Sequence, residues 1–250
     1  MNAQVLFAFT FTLLLAGTNA AKVTIKTNCP RTIWPATQIS GEQQLSTTGF
    51  ELASGASNTI DVPPPWNGRF FSRKTRGVTF WARTRCTTNA VGKFTCGTSD
   101  CGSDQVSCNG LSGAPPTTLV EINFQPNGGQ DFYDVSNVDG FNIPTSVVPK
   151  GGNGDCKPLR CTVNINAVCK PKLQVKTAEG EVIGCKSACA AFGDPKYCCT
   201  GDFNKPETYP STDYSRFFEE QCPEAYIYAY DDKNSTFTCF GGPNYITFCS

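Results

Sequence analysis

Fifteen cysteines are spread along this 250-residue chain, and no two of them are spaced as CxxC. The missing spacing excludes zinc-ribbon and thioredoxin-type readings, so the cysteines read as a disulfide framework of the kind found in oxidising compartments. By spacing alone, Cys96 with Cys101 and Cys185 with Cys189 read as local staples, and the remaining connectivity is open. The odd total leaves at least one thiol without an intramolecular partner. A bridge closing a loop of about 15 residues stabilises by roughly 3 kcal/mol in the chain-entropy model. A set of such bridges implies a fold resistant to heat and proteases.

The first twenty residues, MNAQVLFAFTFTLLLAGTNA, have no charged side chain, run apolar through Leu15 and close on Thr18-x-Ala20. This is the pattern of a secretory signal peptide cut before Ala21. Its apolar run is shorter than the roughly 20 residues that span a bilayer. Neither a later hydrophobic span nor a lipidation motif is seen, so no membrane anchor is expected, and residues 21–250 are expected to be soluble and secreted.

Charge and composition narrow the chemistry. With 21 basic and 21 acidic residues and no block of like charge, nucleic acid is not an expected partner. Histidine is absent, which removes Ser-His-Asp and Cys-His nucleophiles and histidine-ligated metals together. Carboxylates remain as the acid–base groups. Asp131, Asp134 and Asp139 in DFYDVSNVDGFNIP (131–144) stand among aromatic and β-branched residues, which poses the question of what they serve.

Residues 22–28 (KVTIKTN), 117–124 (TTLVEINF) and 224–230 (EAYIYAY) alternate and are β-rich, and Pro or Gly clusters separate such runs. A mainly β sandwich or barrel is the expected class. In TTLVEINF, Val120, Ile122 and Phe124 share one face, so Glu121 points to the other. Residues 150–222 hold eight cysteines and read as short helices. Tyr214, Phe217, Phe218 and Gln221 recur at i, i+3, i+4 and i+7 after the cap candidates Ser211 and Thr212. A second helical turn around CKSACAAF would place Cys185 and Cys189 on one face.

Several blocks carry a family resemblance: WARTRC (81–86), GKFTCGTSDC (92–101), APPTTLVEINF (114–124), DVSNVDGFNIP (134–144), YCCTG (197–201), YSRFFEEQCPEAYIYAYDD (214–232) and YITFC (245–249). From Val23 to the C terminus the chain resembles a plant thaumatin-like protein. The resemblance implies a flattened β-sandwich core (about 21–83, 116–162 and 223–250), a small loop lobe (84–115) and a disulfide-rich lobe with short helices (163–222). It also implies the pairs Cys29–Cys249, Cys86–Cys96, Cys101–Cys108, Cys156–Cys239, Cys161–Cys222, Cys169–Cys185 and Cys189–Cys198. Cys199 is then left unpaired, because the family's next cysteine is missing from TGDFNKPETYP, and a buried, inert thiol is the expectation for it.

The family's acidic cleft maps by motif onto Arg69, Glu121, Asp134, Asp139 and Asp231, with Arg76 and Asp232 as alternates at the two ends. Asp131 falls outside the set and is expected to be a solvated surface residue. Between WNGR (66–69) and FWAR (80–83) stands FFSRKTRGVT, which reads as an insertion beside the cleft. Carboxylates can hydrogen-bond sugar hydroxyls while rings such as Phe132, Tyr133 and Phe141 stack on pyranose faces. The resemblance therefore implies a defence protein of the apoplast that binds fungal wall β-1,3-glucan and restrains fungal growth. Whether it shares the weak endo-β-1,3-glucanase activity of some relatives is open. If it does, Glu121 is the expected general acid, with Asp134 or Asp139 as base or nucleophile.

The alternative is a protein-binding inhibitor of a microbial hydrolase, with the insertion as contact. No cofactor is expected. A Ca²⁺ site is disfavoured by the arginine in the set and the lack of an EF-hand-like loop. The chain is expected to be a monomer, and Asn234-Ser-Thr236 is its N-glycosylation sequon.

Overall fold

The computed structural model describes residues 20–39, 44–63, 77–125, 129–209, 211–228, 235–242 and 244–250. Residues 1–19 of the expected signal peptide, positions 70–76 of the expected insertion, and Arg69, Arg76, Asp231, Asp232 and Asn234 lie outside the described residues.

The strands, in chain order, are β1 (Ala21–Thr27), β2 (Trp34–Ile39), β3 (Ser57–Val62), β4 (Val78–Arg83), β5 (Thr87–Thr88), β6 (Phe94–Thr95) and β7 (Leu119–Asn123). There follow β8 (Gln130–Ser136), β9 (Thr145–Val147), β10 (Leu159–Cys161), β11 (Gln174–Lys176), β12 (Val182–Cys185), β13 (Phe237–Phe240) and β14 (Tyr245–Phe248). Helices are short: α1 (Ala188–Phe192), α2 (Pro195–Cys198) and α3 (Asp213–Gln221). Val78 and Thr79, which the sequence assigns to the insertion, belong to β4.

Two five-stranded sheets make the mainly β body, in the orders β10-β9-β14-β1-β3 and β13-β8-β7-β4-β2. Their apolar faces share one core, with Val23, Ile25, Ile246 and Phe248 from the first sheet against Val78, Phe80, Val120, Ile122, Tyr133 and Val135 from the second. The period-2 alternation of strands decides which residues these are. Val120 and Ile122 are buried while Glu121 between them is not, as the alternation of TTLVEINF implies.

The segment EAYIYAY differs from the expected strand. Among its described residues, 224–228, only Tyr226 bridges β8, opposite Ser136, with its N–H on the Val135 carbonyl at 2.8 Å. The reason is competition for one edge: β13 takes β8 from Gln130 to Tyr133, leaving EAYIYAY only its last residues.

Seven disulfides join Cys29–Cys249, Cys86–Cys96, Cys101–Cys108, Cys156–Cys239, Cys161–Cys222, Cys169–Cys185 and Cys189–Cys198. The local staples suggested by spacing, Cys96 with Cys101 and Cys185 with Cys189, are not formed. Cys185 lies in β12 and not on the helical turn with Cys189, so the two point to different elements. The helix around Phe217 does form, and Thr212 caps it in a reciprocal box with Ser215.

A buried arginine fastens residues 84–115 to the second sheet. Arg83, 0% exposed, donates from Nε to the Trp34 carbonyl at 3.1 Å and from Nη2 to the Val106 carbonyl at 2.6 Å, and lies over the Phe94 ring at 5.3 Å. Burial lowers its pKa to about 10, partly countered by Asp100. Among the described residues no helix is long and apolar enough to cross a membrane.

Candidate functional site

On the outer face of the second sheet, strand register lines up four polar side chains. Gln38 stands opposite Thr79, Thr79 opposite Glu121, and Glu121 opposite Asp134. Directly opposed residues place their Cβ atoms about 4.5–5.5 Å apart, so the two carboxyls are neighbours. Like charges in that position repel, and the repulsion is relieved when one of them holds a proton.

Asp139 joins them from the turn after β8. Gly140 closes this turn, with its N–H on the Asn137 carbonyl at 2.8 Å and φ at +92°. A Cβ at Gly140 would sit 2.5 Å from the Cys185 carbonyl oxygen, so the close backbone approach requires glycine. Phe141 and Cys185 then exchange backbone hydrogen bonds at 2.8 and 2.7 Å, which ties the turn to β12.

All three carboxyls are pushed above their ordinary values. For Glu121 the main cause is desolvation, with the charge of Asp139 second. Asp134 is raised furthest, by burial and then by Glu121, and Asp139 by burial. Glu121 nevertheless keeps an exposed surface. Asp134 Oδ1 is buried without a hydrogen-bond partner among the described residues, and so are Asn137 Oδ1, three positions on, and Thr117 Oγ1, whose backbone N–H is bonded to the Asp139 carbonyl. Unpaired buried acceptors are rare in folded proteins, and this one adds to the cost of burying the acidic pair.

Asp131 is not the solvated surface residue expected of it. It is 5% exposed, and its Oδ1 accepts the Gln125 N–H at 2.7 Å. Asp134 lies three positions further on, an odd step along a strand, so the two face opposite sides. The neighbouring rings divide likewise. Phe132 is 40% exposed on the face of Asp134, whereas Tyr133 and Phe141 are core residues and cannot stack on a ligand. The Tyr133 hydroxyl donates to the Lys157 carbonyl, and its pKa rises to about 12 through burial and then Asp155.

The sequence reading missed a second wall. Asp139 also lines a pocket of about 260 Å³ together with Tyr197, Cys199, Tyr209, Tyr214 and Tyr228. Tyr209 stacks on Tyr228 at 5.8 Å, and its hydroxyl donates to the Tyr197 carbonyl at 3.0 Å. Cys199, the free cysteine, is half-buried against this pocket and so is not the buried thiol expected. Of these tyrosines only Tyr214 carries a periodic signal, as part of the α3 pattern; for the others only their abundance between residues 197 and 228 could have pointed to them. Among the described residues no cluster of three or more Cys, Asp or Glu is arranged to hold a metal ion.

The description "Thaumatin family" fits residues 27–250 of the chain. Thaumatin-like protein 1a of Malus domestica is 62% identical over 240 residues, covering 95% of this chain and 93% of the relative. A Prunus avium protein named glucan endo-1,3-beta-glucosidase is 56% identical over 248 residues, covering 98% and 97%. Pathogenesis-related protein 5 of Arabidopsis thaliana is 47% identical over 230 residues, covering 92% and 90%. With its two-sheet body, its seven disulfides and a match over nearly its whole length, the chain belongs to the thaumatin family of plant pathogenesis-related proteins.

Proposed function

We propose that the protein is a secreted defence protein that binds fungal wall β-1,3-glucan through Glu121, Asp134 and Asp139, with the tyrosine-lined pocket beside Asp139 receiving part of the same chain. The observation that carries this reading is the opposition of the Glu121 and Asp134 carboxyls on the outer face of the sheet, with Glu121 exposed. Sugar hydroxyls are donors that such acceptors accept, and Phe132 and the tyrosines offer ring faces. The name of the Prunus avium relative supports β-1,3-glucan as the polymer. Arg69 and Asp231 complete the proposed set by family motif, and the segment preceding Ala21 is proposed to be removed on secretion. The disulfide framework agrees with an extracellular setting.

Hydrolysis is a further step. Two coupled carboxyls with raised values can share a proton, which gives one acid and one base at the same pH. Glu121, with its exposed surface, takes the acid role in this reading, and Asp134 or Asp139 the role of base or nucleophile. Incubation with insoluble β-1,3-glucan, read both as bound protein and as released reducing ends, tests both steps. Binding with release that is lost in Glu121→Gln gives a glucanase, and binding without release gives a lectin-like defence protein. Absence of binding overturns the proposal.

A further inference from the structure

The outer face of the second sheet continues past the acidic pair, along β8 and onto the edge strand β13. Alternation sends Asp134, Phe132 and Gln130 of β8 to this face, and the ladders set Asn123 and Thr238 opposite Phe132 and Phe240 opposite Gln130. Directly opposed residues share a face, so Phe132 and Phe240 are diagonal neighbours, about 7–8 Å apart. Every one of these side chains reaches solvent: Phe132, Gln130 and Phe240 are exposed, and Asn123 and Thr238 are half-buried.

Exposed apolar side chains normally occur singly, and a contiguous patch rimmed by polar groups marks a binding surface. Of the phenylalanines among the described residues, Phe132, Phe192 and Phe240 are the exposed ones, and two of these three stand diagonally on this face. Both are held in place. Phe132 lies in a strand paired on both sides, by β7 and β13. The Phe240 backbone exchanges hydrogen bonds with Asn153 at 2.8 and 3.0 Å, Cys239 before it is bridged to Cys156, and its ring packs so close to Gly154 that a Cβ there would meet it at 3.1 Å. Gln130 donates from Nε2 to Thr238 Oγ1 at 2.9 Å, which ties the amide across the two strands and leaves the threonine proton for an acceptor. A surface fixed in this way loses little conformational entropy when a ligand lies on it.

We infer that this surface is an extended subsite for the glucan chain whose acidic contacts are proposed above, and the inference rests on that reading. The polymer leaves Glu121 and Asp134, crosses Phe132 and ends on Phe240. From Asp134 to Gln130 the strand covers roughly 13 Å, four steps of about 3.3 Å. The phenylalanines offer apolar surface to pyranose faces, and Gln130 and Thr238 between them meet the hydroxyls. Rings, amides and a hydroxyl, with no charged group among them, suit a neutral polymer. A peptide strand added to the β13 edge is disfavoured, because Asn153 already holds the Phe240 N–H and carbonyl there. Asp139 comes from the turn at the other end of β8, so the polymer is gripped on both sides of the acidic pair.

The test is a calorimetric titration of the purified protein with the β-1,3-linked glucose trisaccharide and hexasaccharide. The parent should bind the hexasaccharide more tightly, and Phe240→Ala should cut the ratio of the two affinities by about tenfold, the worth of one good ring contact. Phe240→Tyr should retain the ratio, which separates loss of the ring from damage to the fold. Glu121→Gln should weaken both oligosaccharides alike, so that the ratio reports on the phenylalanine surface and the absolute affinities on the acidic pair. An unchanged ratio in Phe240→Ala, beside weaker binding in Glu121→Gln, would overturn this inference and leave the acidic site standing. A parent that binds neither oligosaccharide would overturn both. Self-association of the parent that is lost in Phe240→Ala, with the ratio unchanged, would give the face to a second copy of the chain and overturn the inference as well.

Discussion

Glu121 on β7 and Asp134 on β8 face each other directly across an antiparallel ladder, and Asp134 Oδ1 has no hydrogen-bond partner among the described residues. A sheet chosen for stability alone would place opposite charges, or a donor, at such a pair. The arrangement costs the folded state stability.

That cost makes stability depend on pH. The native carboxyls of Asp134, Glu121 and Asp139 hold their protons more tightly than in the unfolded chain. Their contribution is therefore fully present below the ordinary carboxylate range of about pH 4 and is lost as pH rises through the elevated native values. Asp134→Asn should raise the thermal midpoint at pH 7 by a few degrees, at about 2–4 °C per kcal/mol for a chain of this size. The same substitution should change little near pH 3. Calorimetry at both values checks this, and a lower midpoint at pH 7 would contradict it.

Gly140→Ala tests the turn that delivers Asp139. With φ at +92° and the Cys185 carbonyl 2.5 Å from the added carbon, the substitution should destabilise by more than about 1 kcal/mol. Denaturant unfolding measures the loss, and weakened glucan binding should accompany it because Asp139 is displaced.

Arg83→Lys keeps the charge but not the fork that reaches both the Trp34 and the Val106 carbonyls. A loss of roughly 1–3 kcal/mol is expected from the carbonyl left without its donor. Equilibrium unfolding that matches the parent protein would show that residues 84–115 are fastened in another way.

Cys199 should label with a thiol reagent in the folded protein, because it is half-buried and lines an open pocket. The rate should be lower than in denatured, unreduced protein, and one thiol should react in either state. Labelling confined to denatured protein would mean that the pocket is closed to the reagent.

Much of this was readable from residue order, and the failures share a cause. Alternation in TTLVEINF was enough to send Glu121 away from Val120 and Ile122, because strand periodicity is local. The placing of Asp131 failed because its character is set by a backbone N–H six residues upstream and by strand direction, and residue type carries neither. EAYIYAY has strand composition, but β13, which follows it in the chain, holds most of the edge it would use. The tyrosine pocket drew its members from α2, α3 and the loops around them. Such sites are made by tertiary contact and leave no pattern in sequence.

The most direct test of the acidic stripe is equilibrium binding of a soluble β-1,3-glucan oligosaccharide to the parent protein, Glu121→Gln and Asp134→Asn, all checked for native disulfides. Binding that falls by about tenfold or more in both variants, the loss expected when a charged hydrogen-bond partner is removed, is the predicted result. Unchanged affinity in both variants would contradict the assignment of Glu121 and Asp134 as the glucan site.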